Sequence, residues 1–348
     1  MVTYNDVIKQ TLVLLQQNRS EWENRYKGYI TKIRNNANKH IKVNPSVKEP
    51  LFVYTTISNE TKPNPVRYLR FMGQNVGCLL QKKENYSLLI SEEDQKKSCI
   101  AFSGYVSDIK PDEYDWEKRP EAKKFRDFFT NYNGVKGNDN HEHTVESAFL
   151  TDLEKKKGAD KTLKYIQPVE VREKRFQMPT PLRASNLHKI KSTADLTNNK
   201  FYKYAKYYGG GIDILARRKK GTHSYITVIE LKDKCEKNEP PEKVMYQAIA
   251  YATFIRELIR SDEADGNGWY NLFLDKIDAT APSRVPAVLV IKCVVAMPGL
   301  HVKKLDNNLQ MQNCKVLEPF NNSKDRIELH FINLDEKTYC VKDYSKEL

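Results

Sequence analysis

The sequence predicts an α/β (mixed α+β) fold: a central mixed sheet flanked by helices, with an extra N-terminal region of helix and antiparallel strands. Three observations carry this. The run VPAVLVIKCVVAM (285–297) is too apolar for a half-exposed strand and reads as a central strand covered on both faces. A helical stretch from Pro240 to about Arg260 separates it from two strand-like runs, GIDILA and ITVIELK, so helices alternate with buried strands. Before residue 110 the chain instead offers short β-forming runs between polar or Asn/Pro segments.

Taken in order, the first 40 residues read as helix, because Ile8, Leu12, Leu15, Trp22, Tyr26, Tyr29 and Ile33 recur at three or four residues. LFVYTTIS, VRYLRFM, YSLLI and CIAFSGYV (between 50 and 108) suggest a small antiparallel sheet. The charged, proline-bearing stretch KPDEYDWEKRPEAKK (110–124) reads as a domain boundary. We therefore expect a region 1–120 for target or partner recognition and a domain 121–348. The latter opens with helix AKKFRDFFTNY, a polar loop GVKGNDNHEH and helix TVESAFLTDLEKK. Residues 181–208 are poor in aliphatic side chains, and IELHFIN and TYCV complete the sheet.

Composition narrows the function. Of 348 residues, 39% are hydrophobic and 30% charged, as in a soluble globular protein. No apolar run approaches the roughly 18 residues that span a bilayer, and MVTYNDVIKQ lacks the pattern of a signal peptide, so we expect a cytoplasmic protein with no membrane partner. Six scattered cysteines without a CxxC pair signal no zinc or iron–sulfur site. An excess of 58 Lys and Arg over 45 Asp and Glu, a net charge of +13, favours a polyanionic partner.

The chemistry concentrates in GGGIDILARRKKGTHSYITVIELKDK (209–234). Residues two apart on a strand share a face, so Ile226, Val228, Glu230 and Lys232 lie on one side. With RRKKGTHS as a hairpin tip, the two strands are antiparallel neighbours and Asp213 can sit beside Glu230 and Lys232. Two carboxylates and an amine on a mostly apolar face are costly unless compensated. Hard carboxylate oxygens suit Mg2+ or Mn2+, and a lysine beside them can orient a water and offset charge on a phosphate.

Asp213, then Glu230-Leu231-Lys232 at 17 positions on, resembles the PD-(D/E)XK nuclease superfamily, the restriction-endonuclease-like fold; Ile212 stands where that family usually has proline. Members follow the ExK strand with a helix, and here Pro240-Pro241-Glu242 begins one. On its apolar stripe Gln247 and Tyr251 resemble the QxxxY signature of RecB-type exonucleases. Members also draw an acid from a preceding helix: Glu146 shares a stripe with Phe149, Leu150 and Leu153, with Glu142 its rival in a polar loop.

The resemblance implies a metal-dependent endonuclease acting on DNA, with RNA left open, in restriction, anti-phage defence or repair. Asp213 and Glu230, with the Leu231 carbonyl and Glu146, would hold the metal; Lys232 would position the attacking water; Gln247 and Tyr251 would brace the site. Without a helicase-type P-loop, unwinding would need an ATPase partner, and a homodimer is the other option. Arg217, Arg218, Lys219 and Lys220 at the tip are candidates to grip phosphates. Lys203, Tyr204, Lys206 and Tyr207 belong to a run (with Phe201, Tyr202 and Tyr208) that either stacks on bases or covers a core. His141-Glu142-His143 reads as a solvated turn, and Gly209–Gly211 as a close backbone approach. The competing class is a non-catalytic nucleic-acid-binding protein on the same fold.

Overall fold

This computed structural model describes residues 2–35, 47, 51–62, 64–82, 85–105, 109–134, 136–137, 141–155, 166–171, 174–220, 223–234, 239–277, 279, 282–301, 320, 324–345 and 348. In chain order the elements are α1 (Tyr4–Gln17), α2 (Arg19–Asn35), β1 (Leu51–Thr55), α3 (Ile57–Glu60), β2 (Val66–Phe71), β3 (Gln74–Lys82), β4 (Asn85–Ile90), α4 (Glu92–Ala101), β5 (Asp112–Asp115), α5 (Pro120–Asn131) and α6 (His141–Lys155). There follow β6 (Ile166–Pro168), β7 (Glu170–Val171), β8 (Lys174–Phe176), β9 (Met178–Thr180), β10 (Leu182–Arg183), a 3₁₀ turn (Leu187–Lys189), α7 (Thr193–Leu196), β11 (Lys203–Tyr204), β12 (Gly210–Ile212), β13 (Ile214–Lys220) and β14 (His223–Leu231). The last are α8 (Pro241–Ser261), α9 (Gly268–Phe273), β15 (Val290–Pro298), β16 (Arg326–Leu334) and β17 (Val341–Tyr344).

The chain forms two compact units: Met1–Thr31, Asp152–Val169 and Gln177–Leu348 make the first, Lys32–Thr151 and Glu170–Phe176 the second. The expected division at 120/121 does not coincide with them. Two physical reasons move it. Helices α1 and α2 bury their aromatic face on α8, with Tyr4 on Tyr246 at 5.5 Å and Trp22 and Tyr26 on Phe254 at 5.9 and 5.1 Å between ring centroids. Helix α5, expected in the later domain, instead buries Phe125 and Phe129 in the second unit's core.

The first unit is a mixed six-stranded sheet in the order β17-β16-β15-β14-β13-β6. Pairs β14/β15 and β15/β16 are parallel, while β13 is antiparallel to both β14 and β6. Every residue of β15 is buried, as expected for its solid apolar run. Helix α8 crosses over between parallel strands β14 and β15; Pro241 opens it, where a missing N–H costs nothing. It packs between α1 and the sheet, bringing Met245 Sδ to 3.6 Å from Cys293 Sγ. Strand β17 begins at Val341, so most of TYCV lies ahead of it.

The second unit is a seven-stranded sheet in the order β5-β4-β3-β2-β1-β8-β7, antiparallel except between β1 and β8. One face carries Leu69, Phe71, Leu79 and Leu88 against Phe102, Phe125 and Phe129, whose rings meet at 4.8–5.6 Å. The expected strand CIAFSGYV is not one. Cys99–Ala101 end α4, which starts at a Ser91/Asp94 capping box that outweighs the β-forming character of its last residues. Strand β3 went unread in the sequence. The supposed boundary 110–124 supplies edge strand β5, fully buried Trp116 and the start of α5. His141–His143 form the first turn of α6, so HEH is helix and not loop. Among the described residues no helix is long and apolar enough to cross a membrane.

Candidate functional site

The site begins with register. Ile214 pairs with Ile229 as the last rung of the antiparallel β13/β14 ladder, and Asp213 and Glu230 are the next residues on the two chains beyond it. Asp213 itself is a bend: Ile212 before it pairs with Met178 in the two-stranded β9/β12 sheet, and Ile214 after it joins the six-stranded one. There its Oδ2 accepts a hydrogen bond of 2.8 Å from the Leu231 N–H. The Lys232 N–H turns the other way, to the Ala296 carbonyl at 3.0 Å. In an extended strand a residue's carbonyl faces the same edge as its N–H, which directs the Leu231 carbonyl toward the Asp213 side.

Glu230 is 1% exposed and Asp213 half-buried. Beneath them α8 delivers Tyr251, 2% exposed, and Gln247, 9% exposed, from its buried face. Burial first, then the charges of Glu230 and Asp213, push the Tyr251 phenol well above its ordinary range. One buried hydroxyl therefore feels both carboxylates. Glycine makes room for it: a Cβ on Gly210 would stand 2.6 Å from the Tyr251 hydroxyl oxygen, and one on Gly209 would stand 2.4 Å from the Leu182 nitrogen. Gly209–Gly211 are thus a close backbone approach.

Lys232 is half-buried at the end of β14. Its charge bears on His188, a residue the sequence reading passed over. The His188 Nε2 lies 3.1 Å from Glu239 Oε1. Burial lowers the imidazole's pKa, against the opposing pull of Glu239. Nothing in the local sequence around His188 signals this; the 3₁₀ turn at Leu187–Lys189 and its packing on α8 bring it there.

The remaining candidates are placed differently. Glu146 belongs to the second unit, where Tyr54 donates its hydroxyl to Oε1 at 2.8 Å, with His143 Nδ1 at 3.3 Å and Arg70 at 3.9 Å from Oε2. Glu142 is exposed. Arg217–Lys220 are strand residues of β13, not a turn: the ladder with β14 runs on to Lys220 and His223. Arg217 is held by Gln167 at 3.3 Å and Asp275 at 3.5 Å, and Arg218 is 8% exposed, its guanidinium pKa lowered by burial. Strand pairing with β6 explains the extension, because it gives β13 partners on both sides. In the aromatic run, Tyr202 is buried and bonded to Thr11 at 2.7 Å, and Tyr204 donates to Glu21 at 2.6 Å. Lys203 is half-buried; Lys206, Tyr207 and Tyr208 are exposed.

Among the described residues no three His, Cys, Asp or Glu side chains converge as a metal-holding group. The donor set around Asp213 is two carboxylates and a backbone carbonyl, all hard oxygens, which fits an ion that keeps several waters better than zinc. A cavity of about 480 Å3 is lined by other residues, among them Leu12, Trp22 and Arg256. Comparison of the chain with family models, curated proteins and solved structures returns no significant match.

Proposed function

We propose that this chain is a metal-dependent nuclease that hydrolyses phosphodiester bonds in nucleic acid at Asp213, Glu230 and Lys232. One observation carries the reading. Two carboxylates meet at the end of the β13/β14 ladder, Asp213 tied to the Leu231 N–H next to Glu230, and one buried phenol feels both, with a lysine two residues beyond Glu230. Hard carboxylate oxygens so placed suit a divalent cation, and a lysine close by suits a phosphate. The element order supports it further, since α8 follows β14 directly and carries Gln247 and Tyr251 on its buried face, Tyr251 within reach of both charges.

Asp213 and Glu230, with the Leu231 carbonyl, would hold Mg2+ or Mn2+, which when bound supplies Lewis-acid stabilisation of charge on the phosphate. The Leu231 N–H fixes the Asp213 carboxylate, and Tyr251 and Gln247 would brace the site from the buried face of α8. Lys232 orients the attacking water and offsets charge on a non-bridging phosphate oxygen as the water oxygen bonds to phosphorus and the bond to the leaving oxygen breaks. The scheme draws on the first unit alone; Glu146 lies in the second, with Tyr54, His143 and Arg70 around its carboxylate.

The test is cleavage of supercoiled plasmid, linear duplex, single-stranded DNA and RNA with Mg2+ or Mn2+, beside Lys232→Ala. We expect ion-dependent cleavage that falls at least about 100-fold in the variant. Full activity of Lys232→Ala would sink the mechanism. Tight binding without cleavage of any substrate would leave a nucleic-acid-binding module in its place.

A further inference from the structure

Among the described residues four large hydrophobic side chains are exposed: Val13 at 46%, Ile100 at 57%, Tyr207 at 83% and Tyr208 at 55%. Two of the four are consecutive, and they lead directly into the glycines ahead of Asp213. Their backbone is not loose. The Arg25 guanidinium donates to the carbonyls of both Lys206 and Tyr207. On either side, the Ala205 N–H bonds the Pro181 carbonyl at 2.8 Å and the Gly209 N–H bonds the Thr180 carbonyl at 2.9 Å. Tyr204 adds its bond to Glu21, which lies 3.9 Å from Arg25. A clamped segment thus holds two aromatic rings out in water, where burial would normally recover about 25 cal/mol per Å2 of their apolar surface.

Tyr208 lies five residues before Asp213 and within reach of its charge. Partial burial and then the Asp213 charge raise the Tyr208 phenol, and Tyr208 in turn acts on Tyr251. Lys206 lies 5.9 Å from the Tyr207 ring centroid, and Lys200 and Lys203 precede it in a chain of net charge +13. Tyr202 and Tyr204 are already committed to Thr11 and Glu21 and Phe201 is half-buried, so the exposed rings of this run are Tyr207 and Tyr208.

We infer that Tyr207 and Tyr208 form a stacking step for unpaired bases, so that the substrate crosses the carboxylate pair as a single strand. The bases of an intact duplex are stacked on each other and offer no face to these rings; an unpaired strand offers one per nucleotide, while lysines take its phosphates. This inference rests on the nuclease reading only for the place of the scissile bond beside Asp213; the stacking itself needs no cleavage.

Binding of fluorescein-labelled oligo(dT), oligo(U) and a duplex of equal length, read by anisotropy in EDTA, tests it. We expect the wild type to bind oligo(dT) more tightly than duplex, Tyr207→Ala/Tyr208→Ala to weaken that binding at least about tenfold, and Tyr207→Phe/Tyr208→Phe to stay within about twofold, because stacking needs the ring and not the hydroxyl. Oligo(U) should suffer the same loss, since its bases also have π faces. A 2-aminopurine in the strand should be quenched by the wild type and not by the alanine variant. Unchanged affinity in the alanine variant, preference for duplex, or no oligonucleotide binding by the wild type would overturn the inference. Because metal is absent throughout, an inactive protein whose single-strand binding depends on both tyrosines would refute the nuclease reading and leave this one standing.

Discussion

The Asp213 carboxylate, at the bend just ahead of β13, accepts the Leu231 N–H at 2.8 Å, which ties the acid to the backbone between Glu230 and Lys232. Asp213 therefore has two separable duties, as a hydrogen-bond acceptor and as a charge.

Asparagine keeps the first duty and loses the second. Asp213→Asn should abolish detectable cleavage while its melting temperature stays near that of the wild type. Asp213→Ala should lose cleavage and, with the buried Leu231 N–H left without this partner, about 1–3 kcal/mol of stability. Equal destabilisation by both substitutions in urea titrations would show that the charge, and not the acceptor, holds the bend.

Gly210→Ala should destabilise by about 1–3 kcal/mol, because the new methyl would meet the Tyr251 hydroxyl oxygen at 2.6 Å inside a packed floor. Removing that oxygen relieves it: the next atoms are the Leu182 carbonyl oxygen at 3.4 Å and the Tyr251 ring carbon at 3.7 Å, ordinary contacts. Gly210→Ala/Tyr251→Phe should therefore be more stable than Gly210→Ala alone, measured as the shift in urea midpoint. An additive or worse double variant would place the clash elsewhere.

Local pattern carried the carboxylate pair, because its signals lie within one hairpin and the following helix: charges at period two on strands, then a polar pair on an apolar helical stripe. The two-unit division was illegible, since it depends on α1 and α2 docking on α8 more than 200 residues away, which no local pattern records. CIAFSGYV misled because its β-forming residues end a helix whose start is fixed at Ser91. The basic turn misled because a strand's end depends on its neighbours; β6 extends β13 through Arg217 and Arg218. His188 reaches Lys232 through tertiary packing alone.

Glu146 stands on α6 among Tyr54, Arg70 and His143, and the Tyr54 phenol is pushed well up by burial and then by the Glu146 charge. Its carboxylate is thus a buried acceptor of the second unit. Glu146→Ala should cost about 1–3 kcal/mol by stranding the Tyr54 hydroxyl; Glu146→Gln, which still presents an oxygen to it, should cost less. Thermal melts of the two variants decide this, and identical melts would remove the Tyr54 bond as the reason for the residue.

Asp325, at the entry to β16, offers the clearest pH dependence. Its carboxylate is fully buried and accepts from Arg256 Nε at 2.8 Å, Arg260 Nε at 2.9 Å and the Leu289 N–H at 2.8 Å. Burial alone would raise its pKa; the Arg260 bonds, the Leu289 N–H and the Arg256 charge overcome that and hold it at about 2, below the ordinary 3.8. A folded-state pKa below the unfolded one means that the stabilisation is complete above about pH 4 and is lost as pH falls toward 2. That difference corresponds to about 2 kcal/mol. At neutral pH Asp325→Asn, which leaves two half-buried guanidinium groups facing a neutral amide, should lose at least about 2 kcal/mol. The stability gap between wild type and variant in urea titrations should narrow by about 2 kcal/mol between pH 4 and pH 2, as protonation makes the wild-type carboxyl as neutral as the amide. A gap that stays constant across that window would show that the carboxylate charge contributes nothing to holding α8 against β16.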